Sequence, residues 1–381
     1  MRLLLVFIVL IILGVPCAAQ YNARDIHDRI LGIMRQYDAV GLSVVVVKDK
    51  KILFSDTFGY NPNYNNVEKR DPIKNNGIYY IASISKTFVG TAIMQLVEKG
   101  LISLDSDVNK YLNFRVENPY YPQVPITVRM LLSHHSSIKK GAPYNSFDKI
   151  ASKNIDDVKQ CFNNSKPGTD YSYSNLGYAI LGAVIENVSG LRFDDYIERH
   201  IISPMGLYGS YNVSKIDSNL FVKSYRYNKS KGRYIKQYDT YSQNLPSVGY
   251  VKGYSTPSLR PAGGVMISAR DLAKYMMMHM NNGLAANGRR IISENSEMLL
   301  RDKTIHNLYY TKAYIPNVRL VGMNGGARGM HTEMFFSPDK DYGFVILCNG
   351  CNSTGSSDSG LNKLVMRELY NTFILKGDTK K

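Results

Sequence analysis

The sequence predicts an α+β protein, an α/β sandwich in which one antiparallel sheet is built from both ends of the chain and flanked by helices. Three observations lead to this prediction. β-Branched runs with strand character occur near the start of the chain, they return beyond residue 315, and the stretch from about 100 to 280 has mainly helical and loop patterns. A sheet interrupted by a mostly helical insertion explains this order, while periodicity alone also allows two sequential domains.

The N-terminal elements follow from local patterns. Apolar residues at helical spacing predict a helix over 25–36, and Val44–Val47, a turn at 49–51 and Ile52–Phe54 predict a β-hairpin. A helix starting near Thr87 ends at Gly100. Further helices are predicted at 127–133, 175–188, 191–200 and 269–281.

Strands return near the C-terminus, at Val318–Met323, Thr332–Phe336 and Phe344–Cys348, before a terminal helix over 359–374. We therefore predict one domain over 20–375. Its sheet part covers about 20–85 and 285–375, its helical insertion covers about 100–280, and a basic tail follows at 376–381.

The first residues predict a signal peptide and hence a secreted protein. Arg2 precedes an apolar run from Leu3 to Leu13, and small residues at Cys17, Ala18 and Ala19 suit cleavage after Ala19. The alternative is an uncleaved anchor that tethers the protein to a membrane, but the run is shorter than the roughly 20 residues of a spanning helix. Five N-x-S/T sequons agree with an extracellular glycoprotein; they begin at Asn163, Asn187, Asn212, Asn228 and Asn352.

Cysteine usage and charge exclude several classes of protein. Without the signal peptide, Cys161, Cys348 and Cys351 remain, an odd number that excludes a complete disulfide framework. The Cys348–Cys351 pair lacks the context of a redox or zinc motif, so we expect buried thiols or one incidental disulfide.

The net charge is +16, which permits weak attraction to anionic surfaces, although an A/T-rich genome would give a similar composition. No nucleic-acid motif, cofactor motif or metal-ligand set is present, so we predict none of these partners, and the sequence leaves the oligomeric state open.

Ser83-Ile84-Ser85-Lys86 is an S-x-x-K motif directly before a helical pattern. Residues three apart on a helix share one face, so the Lys86 amine can reach the Ser83 hydroxyl. A serine becomes a good nucleophile when an adjacent base takes its proton, and a buried lysine with a lowered pKa can be that base. Tyr173-Ser174-Asn175 is a second motif at the start of a helix, and it could bring a phenol and a carboxamide to the same place.

Several strings resemble, in the same order, the class C β-lactamases, D-alanyl-D-alanine carboxypeptidases and related esterases. They are IASISKTFVGTAIMQLVEKGLISLDSDVNKYL, ITVRMLLSHHSSI, PGTDYSYSNLGYAILGAVIENVSG and PAGGVMISARDLAKY. The resemblance spans about residues 25–375 and implies the β-lactamase/transpeptidase-like fold, with the site between the sheet and the insertion. It implies that Ser83 is the acylated nucleophile, that Lys86 and Tyr173 activate it and transfer protons, and that Asn175 positions them. It also implies an oxyanion hole formed by the backbone N–H groups of Ser83 and Gly326.

The third family motif is where this sequence departs from the pattern. The family has Lys, His or sometimes Trp, then any residue, then Gly, and the matching positions here are Met323-Asn324-Gly325 followed by Gly326. Methionine cannot hold the carboxylate of a penicillin or a peptide, and Arg328 is a partial substitute to consider. We interpret His331-Thr332 as strand surface.

Two functions remain open at this stage. The intact S-x-x-K and Y-x-N motifs favour a secreted serine hydrolase acting on a small ester, amide or peptide. Met323 makes β-lactam hydrolysis less favoured and motivates the alternative, a catalytically impaired protein that acts as a secreted binding protein.

Overall fold

The computed structural model describes residues 17–62, 70–237, 241, 249–302, 310–312, 315–339, 341–352 and 360–375. Its helices are α1 Cys17–Gln36, α2 Ser85–Glu98, α3 Val128–Leu132, α4 Ile155–Lys159, α5 Asn175–Ser189, α6 Phe193–Ile197, α7 Ala269–Met280, α8 Glu294–Arg301 and α9 Gly360–Tyr370. Its strands are β1 Gly41–Lys48, β2 Lys51–Pro62, β3 Arg70–Pro72, β4 Ile78–Tyr80, β5 Gly209–Ser210, β6 Tyr225–Asn228, β7 Arg233–Lys236, β8 Met266–Ser268, β9 Tyr310–Lys312, β10 Leu320–Ala327, β11 Met330–Phe336 and β12 Tyr342–Cys348.

The large sheet is built from both ends of the chain, as the sequence predicts. Its order is β3-β2-β1-β12-β11-β10-β9 and every neighbouring pair is antiparallel. The two ends of the chain meet at its centre, where β1 pairs with β12 and Val45 lies opposite Val345. The α+β prediction is confirmed by this topology.

Helices cover both faces of the sheet and create two apolar cores. Alternate side chains of a strand point to opposite faces, so Val44 and Val46 pack in the core below α1 and α9, while Val45 and Val47 face the core shared with α2, α5 and α7. Helix α7 contacts β1, β11 and β12 directly. Both faces are therefore dry, which explains why β1 is a continuous apolar run rather than an alternating pattern.

Five short strands, β4 just before the insertion and β5 to β8 within it, are not indicated by the sequence. β4 and β5 pair with the two edges of β8, and β6 forms a hairpin with β7. These strands have two to four residues each, which is too short for a period-2 pattern to be recognised. The predicted helix over 191–200 also divides, because α6 continues into a π-helical turn at Glu198–Ile202.

The structure bears on the terminal and surface predictions only in part. Helix α1 begins at Cys17, so the predicted cleavage site after Ala19 falls within its first turn, while the apolar run and the basic tail lie outside the described residues. Among the described helices, none is long and apolar enough to cross a membrane. Cys161, Cys348 and Cys351 are buried thiols. The Asn212 side chain is 5% exposed and its amide nitrogen donates to Asp194, which makes this sequon a poor glycosylation site.

Candidate active site

Ser83 lies in a short 3₁₀ turn, Ala82–Ile84, that joins β4 to α2. Ser83 is half-buried, whereas the residues on both sides of it are buried. A hydrogen bond from the segment before β8 holds the turn in place, because the Ser85 hydroxyl accepts the Val265 N–H at 3.0 Å. Ala82 has φ +50°, a left-handed conformation that an L-residue adopts only when its surroundings hold it there.

Lys86 is fully buried in the first turn of α2 and directed at Ser83. Its Nζ lies 2.9 Å from Asn175 Oδ1, 2.7 Å from the Ala262 carbonyl oxygen and 3.4 Å from Ser83 Oγ. Burial lowers the pKa of Lys86 to about 7, so a neutral amine is accessible near neutral pH. A neutral amine has two hydrogens and one lone pair. The two carbonyl acceptors take the hydrogens, which leaves the lone pair for the Ser83 proton.

Tyr173 approaches Ser83 from the other side. Its hydroxyl donates to Ser83 Oγ at 2.7 Å, and burial raises its pKa to about 12, so it is a neutral phenol at physiological pH. The Lys86 Nζ lies 4.8 Å from the centre of the Tyr173 ring and 5.4 Å from the centre of the Tyr178 ring. The lysine is therefore enclosed by aromatic faces rather than by carboxylates, and its charged form receives limited stabilisation from them.

His134 supports the segment that carries Tyr173. The imidazole is buried, its centroid lies 4.5 Å from that of the Tyr173 ring, and its Nδ1 accepts the Ser174 N–H at 3.1 Å. Burial, and then the charges of Lys86 and His135, hold the pKa of His134 well below its usual range. His134 is therefore a neutral structural acceptor. Within the described part of the chain, no cluster of three or more His, Cys, Asp or Glu side chains could hold a metal ion.

Asn175 is the first residue of α5, and the start of that helix determines where its side chain points. Ser174 caps the helix by accepting the Gly177 N–H at 3.1 Å. This cap brings the Asn175 carboxamide to Lys86, as the Y-x-N motif requires.

The other Lys86 acceptor, the Ala262 carbonyl, belongs to a segment that Glu186 of α5 anchors. The buried Glu186 carboxylate accepts the Gly253 N–H at 2.7 Å, the Thr256 hydroxyl at 2.6 Å and the Tyr250 hydroxyl at 2.5 Å. Helix α5 thus supplies the Asn175 acceptor of Lys86 directly, and its Glu186 holds in place the segment that leads to the Ala262 carbonyl.

The third motif lies on β10, and its residues occupy different environments. A Cβ on Gly325 would lie 2.4 Å from the Ile81 carbonyl oxygen and 3.0 Å from the Ser83 nitrogen. Only glycine at this position therefore lets β10 approach the Ala82–Ile84 turn, called the nucleophile turn below. Met323 and Asn324 are 4% and 6% exposed, and they are not among the described residues that line the cavity at Ser83.

Gly326 has the position and the orientation of an oxyanion donor. The β10–β11 hairpin closes with Ala327 opposite Met330, and hydrogen-bonded pairs then alternate along the ladder. Gly326 and His331 consequently form a non-hydrogen-bonded pair, and the N–H of Gly326 points away from β11. Gly326 and Ser83 line the same cavity, so their two N–H groups can converge on one substrate oxygen.

Thr332 is a structural residue of the site that the sequence analysis assigned incorrectly. We interpreted His331-Thr332 as strand surface, yet Thr332 is fully buried and its hydroxyl donates to the Ile81 carbonyl at 2.9 Å. This bond ties β11 to the residue before the nucleophile turn. Thr332 is buried because helices cover both faces of the sheet. The local pattern of a single strand does not show that this covering exists.

The cavity at Ser83 has a volume of about 250 Å³ and a polar lining. The sequence analysis anticipated Ser83, Asn175 and Gly326 there and mentioned Arg328. It missed Tyr80 of β4 and residues from two loops, Tyr144 and Asn145 in one and Arg260, Ala262 and Gly263 in the other. The loop with Tyr144 and Asn145 has no recognised motif, whereas Ala262 and Gly263 lie in the family string PAGGVMISARDLAKY, to which the sequence analysis assigned no role in the site.

The model of the beta-lactamase family matches residues 26–364. The chain belongs to this family. Among relatives, it is 25% identical over 329 residues to Protein flp of Staphylococcus aureus (strain MRSA252), a match that covers 81% of this chain and 59% of the relative. It is 26% identical over 234 residues to penicillin-binding protein 4 of Amycolatopsis lactamdurans, covering 61% of this chain and 58% of that protein. The chain thus spans about three fifths of the length of the curated relatives it matches.

Solved structures of the same fold include enzymes and penicillin-binding-protein homologues. The octameric penicillin-binding protein homologue from Pyrococcus abyssi superposes with a TM-score of 0.69 at 26% identity, covering 93% of this chain and 77% of that one. The D-amino acid amidase from Ochrobactrum anthropi SV3 has a TM-score of 0.67 at 18% identity, covering 94% of this chain and all of the amidase. EstCE1, a hydrolase with promiscuous acyltransferase activity, has a TM-score of 0.65 at 16% identity, covering 93% of this chain and 100% of EstCE1.

Proposed function

We propose that this protein is a secreted serine hydrolase that forms an acyl-enzyme with a small ester, amide or peptide. The observation that carries the proposal is the position of Lys86, whose Nζ lies 2.9 and 2.7 Å from two carbonyl oxygens and 3.4 Å from Ser83 Oγ. In the neutral amine the two carbonyl oxygens can take both hydrogens, so the lone pair is available to the Ser83 proton. Burial of this lysine to a pKa of about 7 provides the base that a serine nucleophile needs.

In acylation, the neutral Lys86 amine accepts the proton of Ser83 while Oγ attacks the substrate carbonyl carbon. The developing oxyanion receives the N–H groups of Ser83 and Gly326, which contribute a few kcal/mol in the transition state. Tyr173, 2.7 Å from Oγ, donates its proton to the leaving group and regains one from the Lys86 ammonium. The proton that leaves Ser83 thus ends on the leaving group, and the enzyme returns to its starting charge.

In deacylation, water takes the place of the leaving group and the proton transfers run in reverse. The phenolate form of Tyr173 is costly because burial raises its pKa, so the neutral Lys86 amine must share the work of removing the water proton. The pair therefore acts as one base, which agrees with their shared contact with Ser83 Oγ.

We propose esters and amides rather than penicillins as substrates. The family position that holds a substrate carboxylate is Met323, which is buried and lacks charge. A D-amino acid amidase and the hydrolase EstCE1 share the fold and support acyl transfer on small substrates. Met323 also motivates the second candidate, a secreted binding protein that retains the fold without turnover.

The experiment is to label purified wild-type protein and Ser83→Ala with a fluorophosphonate probe and with a fluorescent penicillin. We expect serine-dependent labelling by the phosphonate and little or none by the penicillin. Absence of serine-dependent label from both probes, in protein that unfolds cooperatively, would favour the binding protein instead. Secretion is checked separately by the N-terminal sequence of protein recovered from the medium, which we expect to begin after Ala19.

A further inference from the structure

Two arginines from different loops line the cavity that contains Ser83. Arg260 follows the 3₁₀ turn Thr256–Leu259, and Arg328 lies in the turn between β10 and β11. They flank Tyr80, since the Arg328 guanidinium lies 6.0 Å from the Tyr80 ring centre and both charges oppose the rise that burial causes in the Tyr80 pKa.

The backbone at both arginines is unusual. Each has φ +55°, in the left-handed region that disfavours residues with a long side chain. Arg328 and Gly329, with φ +84°, are the two central residues of a two-residue hairpin turn, a type I′ geometry in which Asn, Asp or Gly is preferred at the first position. A steric cost at two positions of one cavity points to a function for the side chains rather than for the turns.

The charge of the cavity is one-sided. Its other described polar lining residues are neutral hydroxyl or carboxamide groups: Tyr80, Ser83, Tyr144, Asn145 and Asn175. No carboxylate is among the described lining residues. Two guanidinium groups beside neutral donors suit an oxyanionic group, because guanidinium matches the geometry of a carboxylate.

We propose that Arg260 and Arg328 form a subsite for a carboxylate on the substrate, so that the preferred substrates are anionic esters or amides. This inference rests on the proposed function for turnover at Ser83. The positive charges of the subsite belong to Arg260 in the insertion and to Arg328 in the turn between β10 and β11. Met323 on β10 is not part of the subsite. Arg260 and Arg328 thus place positive charge in the cavity, but not at position 323, where the family holds the carboxylate of a penicillin.

The test compares matched esters that differ only in charge. One pair places the carboxylate on the acyl chain, as the p-nitrophenyl monoester of adipic acid against its methyl ester. The other places it on the leaving group, as the acetyl ester of 3-hydroxybenzoate against that of methyl 3-hydroxybenzoate. We expect wild-type kcat/KM to favour the anion in at least one pair. Arg260→Asn or Arg328→Asn should reduce the ratio of kcat/KM for the anion to kcat/KM for the neutral ester by about 10-fold or more.

The variants are chosen so that folding and recognition separate. Asparagine is favoured at the first position of a type I′ turn, so Arg328→Asn should melt at or above the wild-type temperature while losing the anion preference. Arg328→Lys should retain part of the preference, because the ammonium keeps the charge but lacks the planar fork of the guanidinium. The exposed Arg270 on α7 gives the control Arg270→Asn, with no change expected.

Equal rates for anion and neutral ester in both pairs would overturn the subsite, as would arginine variants that slow both members of a pair alike. If no ester is turned over in a Ser83-dependent way, the proposed function fails, and the subsite is then judged by calorimetric titration of adipate. Loss of adipate binding in Arg260→Asn and Arg328→Asn would support the subsite, and equal or undetectable binding in wild type and variants would reject it.

Discussion

Replacing Asn175 with aspartate should raise the pKa of Lys86 and move catalysis to higher pH. Asparagine and aspartate have nearly the same shape, so Asn175→Asp keeps the 2.9 Å contact with Lys86 Nζ and changes the acceptor from a neutral oxygen to a charged one. In the wild type, burial is the cause that lowers the pKa of Lys86 to about 7. A carboxylate in direct contact raises the pKa of Lys86, since it stabilises the ammonium form.

The size of the effect follows from the contact. An opposite charge within about 4–6 Å shifts a pKa by roughly 1–3 units. The wild-type kcat/KM should rise with pH through a midpoint near 7, because the free enzyme needs Lys86 neutral. In Asn175→Asp the same rise should occur at a pH about 1–3 higher. At pH 7, where half of the wild-type Lys86 is neutral, the rate should fall by roughly 5- to 500-fold and recover at about pH 9 to 11.

The assay is the pH dependence of kcat/KM for a reactive neutral ester, or of the rate of phosphonate labelling if turnover is slow. Asn175→Ala is the matched control, because it removes the same hydrogen bond without adding a charge and should lower the rate with little movement of the profile. An unchanged midpoint in Asn175→Asp would refute the reasoning, since the titrating group would then be something other than Lys86.

Further predictions concern the proton transfer by Tyr173, the close approach of β10 to Ser83, and the two buried side chains Glu186 and Lys86. Tyr173→Phe should lower kcat/KM by about 10²–10⁴ with little change in melting temperature, measured by ester kinetics and calorimetry. Gly325→Ala should destabilise by about 1–3 kcal/mol and abolish labelling, because its Cβ would meet backbone atoms at 2.4 and 3.0 Å. Gly32→Ala on α1 is its control and should stabilise by about 0.5–1 kcal/mol; a tolerated Gly325→Ala would contradict the close approach. Glu186→Gln should cost about 2–3 kcal/mol in urea unfolding, since an amide cannot accept all the hydrogen bonds of the carboxylate. The stability of wild type relative to Lys86→Met should increase from pH 6 to pH 9, because the unfolded lysine with pKa 10.5 still binds a proton that the folded one releases near 7; a constant difference would argue against the lowered pKa.

Much of the fold was predictable because its long elements have strong patterns. The predicted helix at 175–188 corresponds to α5 at Asn175–Ser189, and that at 269–281 corresponds to α7 at Ala269–Met280. The strand near 344–348 is found as β12, Tyr342–Cys348. Each of these depends on local periodicity and turn residues, which a single sequence displays directly.

The site was predictable only where a motif encodes it. Ser83, Lys86, Tyr173 and Asn175 were identified because the strings that contain their motifs resemble a known family, and the structure brings them within hydrogen-bond reach of one another. The Ala262 carbonyl, Arg260 and Thr332 were missed because tertiary packing alone brings them there. A backbone oxygen has no sequence signal at all, and a threonine that binds the Ile81 carbonyl has the same one-letter code as a surface threonine.

The pairing of β1 with β12 has a consequence for the order in which this protein can fold. β1 and the nucleophile turn emerge early from the ribosome, but the strand that completes the sheet beside β1 and the glycine that faces Ser83 lie some 240 to 300 residues further along the chain. Contacts of such long range form late, since the loop they close must first be ordered at an entropic cost. The candidate active site can therefore be assembled only after almost the whole polypeptide has been made. A nascent chain would carry Ser83 and Lys86 without activity until its last strands are in place.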